Sequence, residues 1–314
     1  MNYFALIGLA VLLSTTPQKN INKDENPFIV DTDFACDCDD IAAVRIATQL
    51  DREGVIDLQA VMLCTSGTEK ALHGLLVEDG YPNMKIGLSA NNREEGCAYT
   101  EVLESYSKGK MKTADAVRLY KYVLYRSENK VKIVTTGYLT NIYELLRDKT
   151  GYKLIKEKVD TIYVTGGVGY DNNMSAFKEA SEATRYIVEN CPCEIVFFNG
   201  EIGSSFKCGG ATFKNHPNDP LSQSFAAYSQ YWNGWDITDG RWAWDPFTVY
   251  VAAYGYDKTM TRIIPSKATY STTYKTIDHD YKTKNPNCYV VELMSSNLEW
   301  YTQELDRILE RRYE

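Results

Sequence analysis

The chain has 314 residues, with 42 Asp and Glu against 34 Lys and Arg, a formal net charge of −8. Hydrophobic residues make up 44% and charged residues 24%, ordinary values for a globular protein, which exclude a disordered, collagen-like or solenoid chain. The acidic balance argues against binding to a nucleic-acid backbone, which needs a basic face, and suits a cation or a neutral ligand instead.

The chain opens with an apolar run from Tyr3 to Leu13, followed by small and polar residues. The run is shorter than the ~20 residues a membrane helix needs, and it fits the apolar region of a secretory signal peptide. No Lys or Arg precedes it, so a buried N-terminal strand or helix is the competing reading. Residues 1–20 are therefore expected to be a signal peptide, 21–26 a polar linker and 27–314 one domain. The expected location is secreted or periplasmic, or cytoplasmic if the N-terminus is not cleaved.

Short apolar runs then alternate with amphipathic stretches. Strands are predicted at Pro27–Val30, Leu58–Cys64, Val131–Thr135, Val159–Thr165, Cys193–Phe198 and Tyr289–Met294. Helices are predicted at Ile41–Leu50, Ala114–Ser127, Thr140–Asp148, Ser181–Asn190, Val249–Tyr254 and Ser296–Arg312, with Thr140 or Asn141 as the cap of the third. This alternation implies βαβ units, hence an α/β fold with an open, mostly parallel central sheet flanked by helices. Composition does not shift along the chain, which favours a single domain. The segment Asn215–Arg241, rich in Tyr, Trp, Asn and Gly, reads as an insertion or lid beside the site.

The eight cysteines are Cys36, Cys38, Cys64, Cys97, Cys191, Cys193, Cys208 and Cys288. The two C-x-C pairs are too tight for a common zinc pattern, and the histidines (His73, His216, His279) are dispersed. Most of the cysteines read as small buried hydrophobes, although an even count permits disulfides in an oxidising compartment.

The most informative stretch is Asp31-Thr32-Asp33-Phe34-Ala35-Cys36-Asp37-Cys38-Asp39-Asp40, five carboxylates in ten residues between a buried strand and a helix. Such crowding is costly unless a cation or hydrogen bonds offset the repulsion. The C-terminal end of a strand in an open α/β sheet is where ligands bind. Hard oxygen donors with few His or Cys partners favour Ca²⁺ or Mg²⁺ over zinc, although the spacing is not that of an EF-hand. The competing reading is a solvated acidic loop, with Asp39 and Asp40 favoured by the helix dipole.

At this point the sequence resembles a family. The stretch DTDFACDCDDIAAV resembles the signature of the inosine-uridine-preferring nucleoside hydrolases, whose longer variant reads D-T-D-I-G-x-D-x-D-D-A-x-A-L. The resemblance continues in order through Thr136-Gly137-Tyr138-Leu139-Thr140-Asn141, Gly166-Gly167, Glu182-Ala183-Thr184, Glu201-Ile202-Gly203 and Trp244-Asp245-Pro246. It implies a nucleoside hydrolase-like, Rossmann-like fold. It also implies hydrolysis of the N-glycosidic bond of a ribonucleoside to ribose and free base, with one Ca²⁺. Carried over by position, Asp33, Asp40, the backbone carbonyl of Thr136 and Asp245 would hold the ion, and Asp33 would act as general base. Asp39 and Asp245 would bind ribose hydroxyls. Trp242 and Trp244, with Trp235 nearby in sequence, would sandwich the base, which implies a purine preference. Family members are commonly dimers or tetramers, so a homo-oligomer is implied.

The match departs from the family in two places. Phe34 and Ala35 stand where the family has Ile or Pro and then Gly. The family's E-F-N and D-P-E-A-A segments, aligned without a gap on Glu182, fall on Met174, Ala176 and Ala180, whereas a shifted loop offers Asn172, Asn173 or Glu179 instead. The family's Asn after the second strand is nearest to Ser66 or Thr68. These departures support a second reading, a catalytically inactive homologue that binds metal and a nucleoside or sugar. A third reading, a phosphotransferase built on the D-x-D, fits the later segments less well.

Overall fold

The computed structural model describes residues 26–313 apart from 35–36, 91–97 and 233. The expected signal peptide, nearly all of the linker, and Ala35, Cys36 and Cys97 lie outside the described residues.

The first half of the domain runs β1 (Pro27–Thr32), α1 (Asp39–Arg52), β2 (Asp57–Leu63), α2 (Glu69–Glu78), β3 (Lys85–Leu88), α3 (Ala98–Glu104), β4 (Lys112–Asp115), α4 (Ala116–Arg126), β5 (Val131–Thr135), α5 (Thr140–Arg147), α6 (Lys149–Lys158) and β6 (Val159–Thr165). The second half runs β7 (Gly169–Tyr170), α7 (Asn172–Ser175), α8 (Lys178–Asn190), β8 (Glu194–Phe198), α9 (Gly200–Gly203), β9 (Lys207–Cys208), α10 (Gly210–Asn215), α11 (Pro220–Tyr231), β10 (Arg241–Trp242), α12 (Trp244–Tyr254), β11 (Thr261–Ser271), β12 (Thr276–Asp280), β13 (Cys288–Leu293) and α13 (Leu298–Glu310).

Eleven strands form one sheet in the order β4-β3-β2-β1-β5-β6-β8-β13-β11-β12-β7. It is parallel from β4 to β13 and antiparallel from β13 to β7. All six residues of β1 are buried, because the strand pairs with β2 and β5 and helices cover both faces. Its side chains alternate between two cores: Phe28 and Val30 pack on one face, Ile29 on the other.

Three sequence expectations change. Lys112–Asp115 is an edge strand, so α4 starts only at Ala116, where Asp115 caps it by accepting from Arg118 N at 2.8 Å. Neither Thr140 nor Asn141 caps α5; the cap position is Leu139, without a side-chain bond. Asn141 instead donates its amide to Asp31 (3.0 Å) and to the Leu63 carbonyl (2.9 Å), tying α5 to β1 and β2. The segment Asn215–Arg241 contains the twelve-residue helix α11, which packs against α3.

A buried ion cluster joins four elements behind the sheet. Arg45 of α1 is fully buried, and its Nε donates to Asp79 at 3.1 Å. Its Nη1 pairs with Asp219, the residue that caps α11. Arg312, just after α13, reaches the same two carboxylates at 2.9 and 3.6 Å. Removing one partner of such a cluster leaves buried charge uncompensated. Arg45→Met should therefore lower unfolding stability by about 3–5 kcal/mol, read from the urea midpoint by circular dichroism. A loss below about 1 kcal/mol would show that Arg312 alone neutralises Asp79 and Asp219.

Candidate active site

The site is built where β1 ends and α1 begins. Asp33 follows β1, Asp39 and Asp40 form the first turn of α1, and Asp245 lies in the first turn of α12. All four are nearly fully buried. Oxygen atoms of Asp39, Asp40 and Asp245 lie within 4.8 Å of one another. Asp40 accepts from Thr32 Oγ1, from Thr136 Oγ1 at 3.1 Å, and shares a hydrogen bond with Asp33. Asp39 accepts from the Asp245 backbone N–H at 3.2 Å, so the N-termini of α1 and α12 meet at the cluster.

These residues open into a cavity of about 670 Å³ that also exposes Asp37, Asp171, Asn172, Asn173 and Thr136. Tyr138, Tyr170, Tyr228 and Trp244 supply its aromatic wall. Two glycines set its shape. A Cβ on Gly137 would lie 2.6 Å from the Asp33 backbone N, and one on Gly203 would lie 2.3 Å from Cδ1 of Trp244. The backbone therefore approaches both side chains as closely as only glycine permits. The Trp244 indole N–H donates to the Gly200 carbonyl at 2.8 Å, which fixes the ring.

Burial dominates the electrostatics. It pushes the Asp40 carboxyl up to about 6, against the lowering effect of its hydrogen bonds with Thr32 and Asp33. Asp39 and Asp245 are raised well above the ordinary range, first by burial and then by their acidic neighbours. Behind them, burial raises Asp31 to about 7 although Tyr120 and Asn141 donate to it. Desolvated carboxylates at this spacing repel one another, and a cation among them relieves both costs.

Some sequence expectations are redirected. Thr136 and Trp244 stand at the cavity wall with the four aspartates, and so does Asn173, whose amide donates to the Thr136 carbonyl at 2.9 Å. Trp242 does not join them. It lines a separate cavity with Asp306, under the Lys207 ammonium 4.9 Å from its ring centroid, because the β9–β10 ribbon turns alternate side chains to opposite faces. Trp235 is held away by its bond to the Gly240 carbonyl and packs on Tyr228.

The gapless alignment is also replaced. Met174 is buried in the core against Thr184, and Glu179 lines a different cavity beside α5. Ala176 does line the cavity, but the polar groups there are Asp171, Asn172 and Asn173, three positions earlier than the gapless register puts them. Ser66 and Thr68 are absent from the cavity wall, while Thr65 donates to the Asp33 carbonyl at 2.6 Å.

Sequence reasoning missed Asp171, Tyr228 and Arg241. Asp171 caps α7 by accepting from Met174 N at 3.3 Å, and Asp-Asn-Asn after Gly-Gly was the available signal. Arg241 grips Asp37 through both Nε (2.8 Å) and Nη2. Its guanidinium carbon lies 5.3–5.4 Å from the ring centroids of Trp244, Tyr228 and Trp235. No spacing in the sequence announces that pairing, since 204 positions separate the partners.

No family model matches the sequence, and no curated protein matches it either. Solved structures do match. A purine-preferring ribonucleoside hydrolase from Gardnerella vaginalis superposes with a TM-score of 0.70 at 15% identity, over 91% of this chain and 98% of that one. An inosine-uridine preferring nucleoside hydrolase from Bacillus anthracis gives 0.69 at 15%, over 91% and 99%. The type III effector XopQ, complexed with adenosine diphosphate ribose, gives 0.67 at 16%, over 91% and 94%.

The fold is that of the nucleoside hydrolases.

Within the nucleoside hydrolase fold, the carboxylate cluster lies at the C-terminal edge of the parallel strands, where open α/β sheets bind ligands. Its donors are all oxygen, buried and convergent, which is the chemistry of a hard divalent cation. Titration calorimetry with Ca²⁺ should find one site, weakened by at least about an order of magnitude in Asp40→Asn. Gly137→Ala, which crowds Asp33, should weaken it in the same direction. Equal affinity in wild type and Asp40→Asn would remove the cluster as the cation site.

Proposed function

We propose that the chain is a Ca²⁺-dependent ribonucleoside hydrolase that cleaves the bond between ribose and its base, with preference for purines. One observation carries this reading: Asp33, Asp39, Asp40 and Asp245 converge at the floor of one cavity in the nucleoside hydrolase fold. A divalent cation held by these carboxylates and the Thr136 carbonyl would supply an oriented water of lowered pKa. Asp33 takes the proton from the attacking water. Asp39 and Asp245 accept hydrogen bonds from ribose hydroxyls, which favours ribose over 2-deoxyribose. The same negative charge stabilises an oxocarbenium-like sugar as the glycosidic bond breaks. Asn173 of α7 and Asp171, the cap of that helix, line the same cavity and would bind the rest of the sugar.

The base faces the aromatic wall. Trp244, with Tyr228 as partner in place of Trp242, offers stacking worth ~1–3 kcal/mol per base. Arg241 holds both rings and neutralises Asp37, which keeps the wall rigid.

A second reading, binding without turnover, draws on two observations. The Asp171 carboxylate is already engaged by the Met174 backbone N–H as the cap of α7. The Asn173 amide is already engaged with Thr136.

Base release from a panel of ribonucleosides, with and without a Ca²⁺ chelator, separates the readings. The hydrolase reading expects purine release that the chelator abolishes and that falls about 10²–10⁴-fold in Asp33→Ala. It also expects Trp244→Ala to slow inosine cleavage more than uridine cleavage. Saturable binding of Ca²⁺ and ribose with no base released would establish the second reading instead.

A further inference from the structure

One motif is untouched by the site: Cys191-Pro192-Cys193, between α8 and β8. The two sulfur atoms lie 3.6 Å apart and share a hydrogen bond. Both residues are partly exposed, whereas Cys38, Cys64, Cys208 and Cys288 are all buried. Cys191 ends α8, with its backbone N–H held by the Ile187 carbonyl at 3.0 Å. Pro192 restricts the backbone between them, so the two thiols are held side by side by the turn itself. The pair sits at the start of β8, and Gly200 of the cavity wall lies just beyond that strand's other end. Five residues at ~3.3 Å each put roughly 16 Å of strand between the two sites.

We propose that Cys191 and Cys193 form a redox-active dithiol that exchanges with small-molecule disulfides. Cys191 is the attacking sulfur. The hydrogen bond between the two sulfurs holds the Cys191 thiol below its ordinary range and pushes the Cys193 thiol up.

The exchange balances in two steps. The Cys191 thiolate attacks one sulfur of a disulfide such as oxidised glutathione, whose S–S bond breaks and releases one thiolate. Cys193, losing its proton, then attacks the Cys191 sulfur of the mixed disulfide. The Cys191–Cys193 bond forms and the second small thiol leaves. The two cysteine protons end on the two released thiols, and two electrons pass from the pair to the small disulfide. Closing the bond requires the sulfurs to move from 3.6 Å to ~2.05 Å, within reach of side-chain rotation.

The test uses the full chain, reduced and then equilibrated in glutathione buffers of graded ratio. Free thiols are alkylated and the peptides mapped by mass. The peptide holding both residues should lose two hydrogens and escape alkylation as the buffer becomes oxidising. Cys193→Ser should accumulate a glutathione adduct on Cys191, and Cys191→Ser should form no such adduct at Cys193 on the same timescale. The rate of alkylation of Cys191 in the reduced wild type gives a check independent of any variant, and it should exceed that of the buried cysteines by at least tenfold. The proposal is overturned if both thiols stay alkylatable at every ratio. It is also overturned if wild type stops at the glutathione adduct, or if either cysteine pairs elsewhere in the chain.

Discussion

The structure depends on keeping like charges together in the dry interior. Burying one carboxylate costs several kcal/mol, and Asp33, Asp39, Asp40 and Asp245 stand in a single cluster. What surrounds them is organised to offset that cost. Thr32 and Thr136 donate to Asp40, and the Asp245 backbone N–H donates to Asp39. The positive ends of α1 and α12 point at the cluster, which favours negative charge there. Arg241 neutralises Asp37 at the cavity mouth. Hydrogen bonds and dipoles alone leave the carboxyls raised, and a cation among them would relieve that cost.

The scaffold around the cluster is tied together by buried polar contacts. A second layer, Asp31 with Tyr120 and Asn141, lies behind the site and ties β1 to α4 and α5. On the other face, Arg45 and Arg312 join α1, α11 and the C-terminal end of the chain through Asp79 and Asp219. The two clusters differ in kind. The Arg45 cluster has its countercharges within the chain, so it is complete as a structural element. The Asp39 cluster is met, among the described residues, by Arg241, which is paired with Asp37, and a bound cation would supply further countercharge.

The wall opposite the cluster is fixed from far away in sequence. The loop carrying Tyr170, Asp171 and Asn173 pairs through β7 with β12. His279 of β12 holds the Gly167 carbonyl at 2.8 Å. Gly166 and Gly167 take φ values of +92° and +87°, which let the chain turn sharply out of β6. The loop so held presents its polar side chains three positions earlier than a gapless register requires.

Much of the fold could be read from the sequence alone. Buried parallel strands such as Pro27–Thr32 and Val131–Thr135 are marked by short apolar stretches such as Phe28–Val30, and the stretch Ile41–Leu50 within the helix Asp39–Arg52 keeps a helical period. Both signals are local. The edge strand β4 and the hairpin β11–β12 are half exposed, so their apolar pattern is diluted and they went unread. The carboxylates of the site were legible because Asp31–Asp40 crowds them within one loop, and no local structure explains such crowding. The sequence determined that buried acid would gather at the end of the first strand. The resemblance named Asp245 and offered Asn173, but only the tertiary structure decided that Tyr228 and not Trp242 would face the cavity and that Asp171 would stand opposite. Those choices are made by contacts between residues far apart in the chain, whose energies depend on packing and leave no periodic mark on the residues themselves.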